Sequence, residues 1–328
     1  MRHVRFLRYI DVVARSGSIR SAAEKLNLTA SALNRRIQDF EEELGTPIFE
    51  RLPRGVRLNA AGELVIRHFR AQLAELSRVR SQVEDLSGFR RGTVAIACSQ
   101  ALAYDLMPNM VSAYRREFPL VNFAIRVLDH RDALRALTEF EVDLALVFRP
   151  PPIPEFQILA SAEQRVMAIM QASHPLARKP VLRLRDCADF PLALPDRSYS
   201  GRQLLDEATA RASFRFEPAV ESNSFEFLRN YVRNEPAITF QIEIGAPPQD
   251  RERYGLVAKP IDPRDIQPAR LAIGQLRGRA LPVAAAKFAD QLGSRLVGAF
   301  SSDVVAGSRD DNAAPPTLSA RAPAISPP

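Results

Sequence analysis

Apolar residues recur at helical spacing from the start of the chain. Phe6, Leu7, Ile10, Val13 and Ala14 share one face, which predicts an amphipathic helix ending at Arg15-Ser16-Gly17. Ser18 is placed to cap a second, shorter helix carrying Ala22, Ala23 and Leu26. Thr29 is placed to cap a third, buried through Leu33, Ile37, Phe40 and Leu44 and closed by Gly45. Two helices joined at Asn27-Leu28, with an alanine pair where they cross, predict helix-turn-helix geometry. Pro47 to Leu58 then alternates apolar and basic residues around Pro53-Arg54-Gly55, the pattern of a two-stranded wing with a basic tip. Asn59 opens a long helix from about Ala60 to Gly88, with Val65, Phe69, Leu73, Leu76, Val79, Val83 and Leu86 spaced by threes and fours. Such a helix spans roughly 40 Å. A stripe that narrow on a helix that long predicts a partner helix in another chain.

From Thr93 the period changes. Short β-rich runs at 94–98, 123–128, 144–148, 166–170, 219–222, 237–240 and 271–274 alternate with amphipathic stretches near 102–117, 131–139, 201–212, 224–233 and 281–298. Alternating strands and helices predict a mostly parallel α/β sheet. Residues from about 301 onward are rich in Ala, Ser and Pro, a composition expected to be disordered.

Charge refines this picture. Residues 1–92 hold 17 Lys+Arg against 11 Asp+Glu, so six of the chain's seven net positive charges sit in the first quarter. A localised basic surface is the footprint of phosphate binding. There is no long apolar run and no signal-like N-terminus, so the expected setting is the cytoplasm, away from membranes. Cys98 and Cys187 build no disulfide framework, and no Cys/His spacing fits zinc. No phosphate loop, nucleophile elbow or metalloprotease helix occurs. Neither an enzyme nor a cofactor-binding protein is expected.

The residues resemble the LysR-type transcriptional regulators. The match is densest over 3–62, in Gly17-Ser18-Ile19-Arg20-Ser21-Ala22-Ala23-Glu24-Lys25-Leu26, in Leu44-Gly45-Thr46-Pro47-Ile48-Phe49-Glu50-Arg51 and in Leu58-Asn59-Ala60-Ala61-Gly62. It thins beyond, through Leu106-Met107-Pro108, Phe118-Pro119, Asp143-Leu144-Ala145-Leu146 and His174-Pro175-Leu176-Ala177. The resemblance implies an α/β protein with an all-α winged helix-turn-helix (1–59), a dimerising linker helix (60–92) and a two-lobed, periplasmic-binding-protein-like effector domain (93–300). Lobe I would take about 93–162 and 268–298, lobe II about 163–267, and 301–328 a tail. It also implies a homodimer or dimer of dimers on inverted-repeat duplex DNA, with RNA polymerase as a further partner.

On the third helix, Ser31, Arg35 and Gln38 project opposite the apolar face, with Asn34 and Arg36 on its flanks. Arg35 suits guanine, and Asn34 or Gln38 adenine. Thr29 and Ser31 suit phosphate, and Arg51, Arg54 and Arg57 on the wing suit backbone or minor groove. Many relatives carry Gln where this chain has Ala30, so one base contact is expected to be absent or moved. Ser99, Gln100 and Arg149 at strand ends, with Ser198, Ser200, Asn223 and Ser224 from the second lobe, are the candidate binders of a small effector, expected to be anionic through Arg149. The segment Glu235-Pro236-Ala237-Ile238-Thr239-Phe240-Gln241 departs from the family's glycine pattern and puts the second-lobe half of that pocket in question. A rival reading is a ligand-independent repressor or architectural protein. Cys98 and His174 are expected to be structural.

Overall fold

The computed structural model describes residues 2–86, 91–210 and 212–300. Helices α1 (Arg2–Ser16), α2 (Ile19–Leu26) and α3 (Ala30–Leu44) enclose a small core of Ile10, Val13, Ala22, Leu33, Ile37 and Ile48. Both predicted caps form: the Ser18 hydroxyl accepts from Ser21 N, and Thr29 Oγ1 from Ala32 N at 3.2 Å. Asn27 takes the left-handed conformation that turns α2 into α3. Leu44 is a correction. It is 41% exposed because Gly45 ends the helix before a further turn could cover it.

The wing pairs β1 (Phe49–Leu52) with β2 (Gly55–Leu58). It is held to the helices on two sides. Glu41 Oε1 accepts from the amides of Ile48 and Phe49 (2.7 and 3.1 Å), and Val56 N donates to Gly17 O at 2.8 Å. A methyl group on Gly62 would lie 2.1 Å from Ile48 O, so the first turn of α4 (Ala60–Leu86) tolerates no side chain there. Asn59 opens that helix by accepting from Gly62 N at 2.8 Å. Ile66 and Phe69 on α4 are buried in the head, whereas Val79 and Val83 further along are exposed. This is the gradient expected of a helix that leaves its own domain to meet another chain. Residues 87–90, including the expected helix end at Gly88, lie outside the described residues, as do 301–328.

Two five-stranded sheets follow. The first has the order β4-β3-β5-β12-β6, with β3 (Gly92–Cys98), β4 (Val121–Val127), β5 (Leu144–Phe148), β6 (Phe156–Gln164) and β12 (Ala269–Leu276). It carries α5 (Gln100–Tyr104), α6 (Leu106–Glu117), α7 (His130–Thr138) and α12 (Val283–Phe300). The second has the order β11-β7-β10-β8-β9, with β7 (Val166–Gln171), β8 (Leu192–Pro195), β9 (Pro218–Ser222), β10 (Ile238–Ile242) and β11 (Leu256–Pro260). Its helices are α8 (Leu184–Cys187), α9 (Ser200–Ala210), α10 (Phe225–Asn234) and α11 (Asp250–Tyr254). The expectation of mostly parallel sheets is corrected. β12 runs antiparallel to β5 and β6, and β7 antiparallel to β10 and β11, because the chain returns between the sheets twice. The stretch expected as one helix at 102–117 is two, broken at Asp105.

Each sheet buries its own core, with Phe288, Leu292, Leu144 and Ile96 in the first and Phe240, Leu194 and Leu182 in the second. Burying one such side chain fully contributes about 1.5–3 kcal/mol. At the crossing between β6 and β7, Arg165 forms an ion pair with Glu243, and Gln164 Oε1 accepts from Ile244 N at 2.9 Å. The head also touches the first sheet's lobe. Arg15 pairs with Glu141, and Arg70 reaches both Asp11 (2.7 Å) and Glu139 (3.3 Å).

Candidate functional site

The exposed face of α3 is built by its buried one. With Leu33 and Ile37 turned into the core, Ser31, Arg35, Arg36 and Gln38 are exposed, and Asn34 is half-buried. Among the described residues, Arg35, Gln38 and Arg54 have no side-chain hydrogen bond or ion pair. Thr29 and Ser31 are exposed, with their hydroxyls 3.3 Å apart at the start of α3. Other expected DNA contacts already have protein partners. Arg51 donates to Asn34 Oδ1 at 3.2 Å, Arg57 to Glu50 at 2.7 Å, and the Arg36 guanidinium lies 5.4 Å from the centre of the Tyr9 ring. Asn34 and Arg51 thus tie the helix to the wing, and Arg36 leans back on α1.

Between the two sheets lies a cavity of about 50 Å³ at the carboxyl ends of β3 and β5, the place where α/β sheets bind ligands. Ser99 and Ser200 line it, as expected. Ser200 Oγ is 2.9 Å from His130 Nδ1, whereas Ser99 Oγ is buried with no partner. The other expected residues lie outside the lining. Gln100 instead bridges the lobes: its amide donates to Tyr199 Oη (2.8 Å) and Asn223 O (2.7 Å), and its Oε1 accepts from Phe225 N (2.7 Å). Arg149 pairs in a two-pronged contact with Glu207 at 3.0 and 3.1 Å, so an anion at its guanidinium would have to compete with that exposed carboxylate. Ser198 sits in an exposed turn closed by Asp196, and Ser224 caps α10 through Phe227 N. The backbone carbonyl of Asn223 accepts from Gln100 and from Tyr199 Oη.

The sequence reading missed Asp129, His130, Tyr199 and Phe225, which line the cavity with Phe240 and Gln241. Burial holds the His130 imidazole below its usual range, opposed by nearby Asp129. The doubted segment after Glu235 forms the regular strand β10, and Pro236 stands ahead of it. Phe240, Gln241 and Ile242 of that strand line the cavity.

Cys98 and Cys187 are fully buried, and burial pushes both thiols up to about 12. A neutral thiol is a poor nucleophile. Neither cysteine is expected to react with a thiol reagent in the native protein at about pH 8, and both are expected to react after denaturation. One fast-reacting equivalent in the native state would instead point to a thiol switch. His174 is buried in its turn, where Nδ1 accepts from Leu176 N at 3.2 Å. Among the described residues no cluster of three or more His, Cys, Asp or Glu is arranged to hold a metal, and no helix is long and apolar enough to cross a membrane.

Two family models match the chain. Residues 4–63 match "Bacterial regulatory helix-turn-helix protein, lysR family", and residues 87–297 match "LysR substrate binding domain". The chain belongs to the LysR family. It is a LysR-type DNA-binding transcription regulator with an effector-binding domain. It is similar to the "Probable RuBisCO transcriptional regulator" of Emiliania huxleyi, 27% identical over 235 residues, covering 70% of this chain and 74% of the relative. In fold this LysR-family chain resembles a full-length OxyR variant from Pseudomonas aeruginosa (TM-score 0.70, 20% identity, 88% of this chain and 94% of the other). It also resembles full-length CbnR complexed with target DNA (TM-score 0.59, 17% identity, 89% and 99%).

Proposed function

We propose that this LysR regulator binds inverted-repeat promoter DNA through the exposed face of α3, as a homodimer or dimer of dimers. It works in the cytoplasm, with RNA polymerase as a further partner and no catalysis of its own. A ligand in the interlobe cavity alters its grip on DNA. The division into head (1–59), linker (60–92) and two-lobed effector domain (93–300) serves this reading, with Arg35 and Gln38 reading bases. Thr29, Ser31 and Arg54 hold phosphates.

The observation that carries ligand response is the course of α7. Its first residue, His130, lines the cavity beside Ser200, and just past its last turn Glu139 and Glu141 meet Arg70 and Arg15 of the head and linker. One nine-residue helix thus spans from the ligand's place to the head's footing on the lobe. A ligand that displaces His130 from Ser200 would move the carboxylates that fix the head, and only unequal binding to the two arrangements shifts them.

The test is a footprint on DNA upstream of the gene, with and without the small-molecule fraction of a cell extract. Protection is expected to change in extent with the extract. In the double variant Glu139→Gln/Glu141→Gln, DNA binding is expected to persist while that change is mostly lost. Protection indifferent to the extract would favour the ligand-independent repressor. An unchanged response in the double variant would remove α7 from the path.

A further inference from the structure

Among the described residues, three other than glycine take positive φ: Asn27, Phe140 and Arg149. Asparagine tolerates that conformation, and Arg149 is held in the first sheet by its amide, which donates to Arg270 O at 2.8 Å. Phe140 is different. At φ 57° it stands one residue past Glu139, the cap of α7, at the position glycine usually occupies. The helix end is nevertheless complete: Phe140 N donates to Leu137 O (3.1 Å) and Glu141 N to Ala136 O (2.8 Å). A Cβ in this conformation crowds its own backbone, so these bonds are made against strain.

Part of what holds the strained residue belongs to the head. Glu139, just before it, meets Arg70 of α4 at 3.3 Å, and Glu141, just after it, pairs with Arg15 of α1 and Arg126 of β4. Asp11 closes the chain of charges by pairing with Arg15 (2.9 Å) and Arg70 (2.7 Å). Both flanks are anchored. Upstream, Leu134 and Leu137 of α7 are buried; downstream, Val142 is buried and its carbonyl accepts from Arg279 at 2.9 Å. Movement is thereby confined to residues 139–141, two of which carry the carboxylates that grip the head. Strained backbone persists only where its surroundings over-determine it, and it collects at switches.

We propose that Phe140 is a spring-loaded hinge: the head's arginines hold it left-handed, and once they let go its backbone relaxes and swings Glu139 and Glu141 out of reach. The strain favours release over re-formation of the contact, so the head answers to a smaller push from the cavity. That use rests on the ligand response proposed above; the hinge itself rests on the contacts of residues 139–141.

Relaxation breaks the bond from Glu141 N to Ala136 O, which needs a left-handed residue between α7 and Glu141. Amide exchange at Glu141 and Val142, measured on the full-length protein, therefore reads the hinge directly. Phe140→Gly and Phe140→Asn are expected to slow this exchange about fivefold or more, the population change that about 1 kcal/mol brings. Phe140→Leu loses the ring contact with Arg279 but keeps the crowded Cβ, and is expected to exchange at least as fast as wild type. Glu139→Gln/Glu141→Gln is expected to speed exchange several-fold, and to have little effect when combined with Phe140→Gly. Exchange that Phe140→Gly and Phe140→Asn fail to slow, or that the double glutamine variant fails to speed, overturns the hinge. If exchange behaves as expected while the footprint ignores cell extract, the hinge stands and the ligand response falls. A footprint that answers to extract with exchange unmoved by these variants leaves the ligand response and removes the hinge.

Discussion

Replacing Asp143 by alanine is expected to destabilise the effector domain by about 3–5 kcal/mol, the cost of leaving one member of a buried ion pair alone. Asp143 is 6% exposed. Its carboxylate accepts from Ala95 N at 2.9 Å and from the Arg279 guanidinium at 2.6 Å. Burial raises its pKa, against the downward pull of Arg279 and the Ala95 amide. Arg279 has little else: one bond to Val142 O at 2.9 Å, the Phe140 ring 5.4 Å away, and a buried Nε with no partner. Removing the carboxylate strands that cation and unties β3 from the start of β5, the two strands whose ends carry Ser99 and Phe148 to the cavity. For a domain of this size the loss corresponds to a fall of roughly 6–20 °C in thermal midpoint. The double variant Asp143→Ala/Arg279→Met is expected to recover much of it, since with both charges gone no buried ion is left without its partner. A single variant that melts within about 2 °C of wild type, at most about 1 kcal/mol, would mean the pair does not hold these strands together.

The parts of the fold that could be read from sequence were those whose signals are local. Ser18, Thr29 and Asn59 each bond an amide three residues ahead, so capping marked three helix starts. The stripe Leu33-Ile37 fixed which face of α3 is free. Three strands escaped. β8 is four residues long and ends in proline, β11 is an edge strand that also ends in proline, and β6 is an edge strand with mixed polar positions, so none shows a clean period of two. The cavity was half legible. Ser99 and Ser200 could be placed at helix starts, but the partner of Ser200, His130, lies 70 residues away, and Gln100 meets Tyr199 across 99. Arg149 could be placed at a strand end by the cleft, but its partner Glu207 lies 58 residues on, in the other lobe. Local pattern placed the donors. Only the closing of one lobe on the other showed which were already in use.

Arg35→Ala is expected to weaken binding to the cognate promoter by about 1–3 kcal/mol, roughly 5- to 150-fold, and to relax base preference at one position per half-site. The side chain is exposed on the face opposite Leu33 and Ile37. It is therefore free to offer both prongs of its guanidinium to a guanine edge at no cost in broken protein contacts. Arg36, one residue on, makes the internal comparison. Its guanidinium leans on Tyr9, and Arg36→Ala is expected to lower affinity less and leave base preference intact. Arg54→Ala at the wing tip should behave differently again, weakening all sequences alike and reducing the salt slope by about one. Fluorescence anisotropy on the promoter and on single-base variants, at several salt concentrations, separates the three. If Arg35→Ala kept full affinity and the same base preference, α3 would not enter the groove by this face.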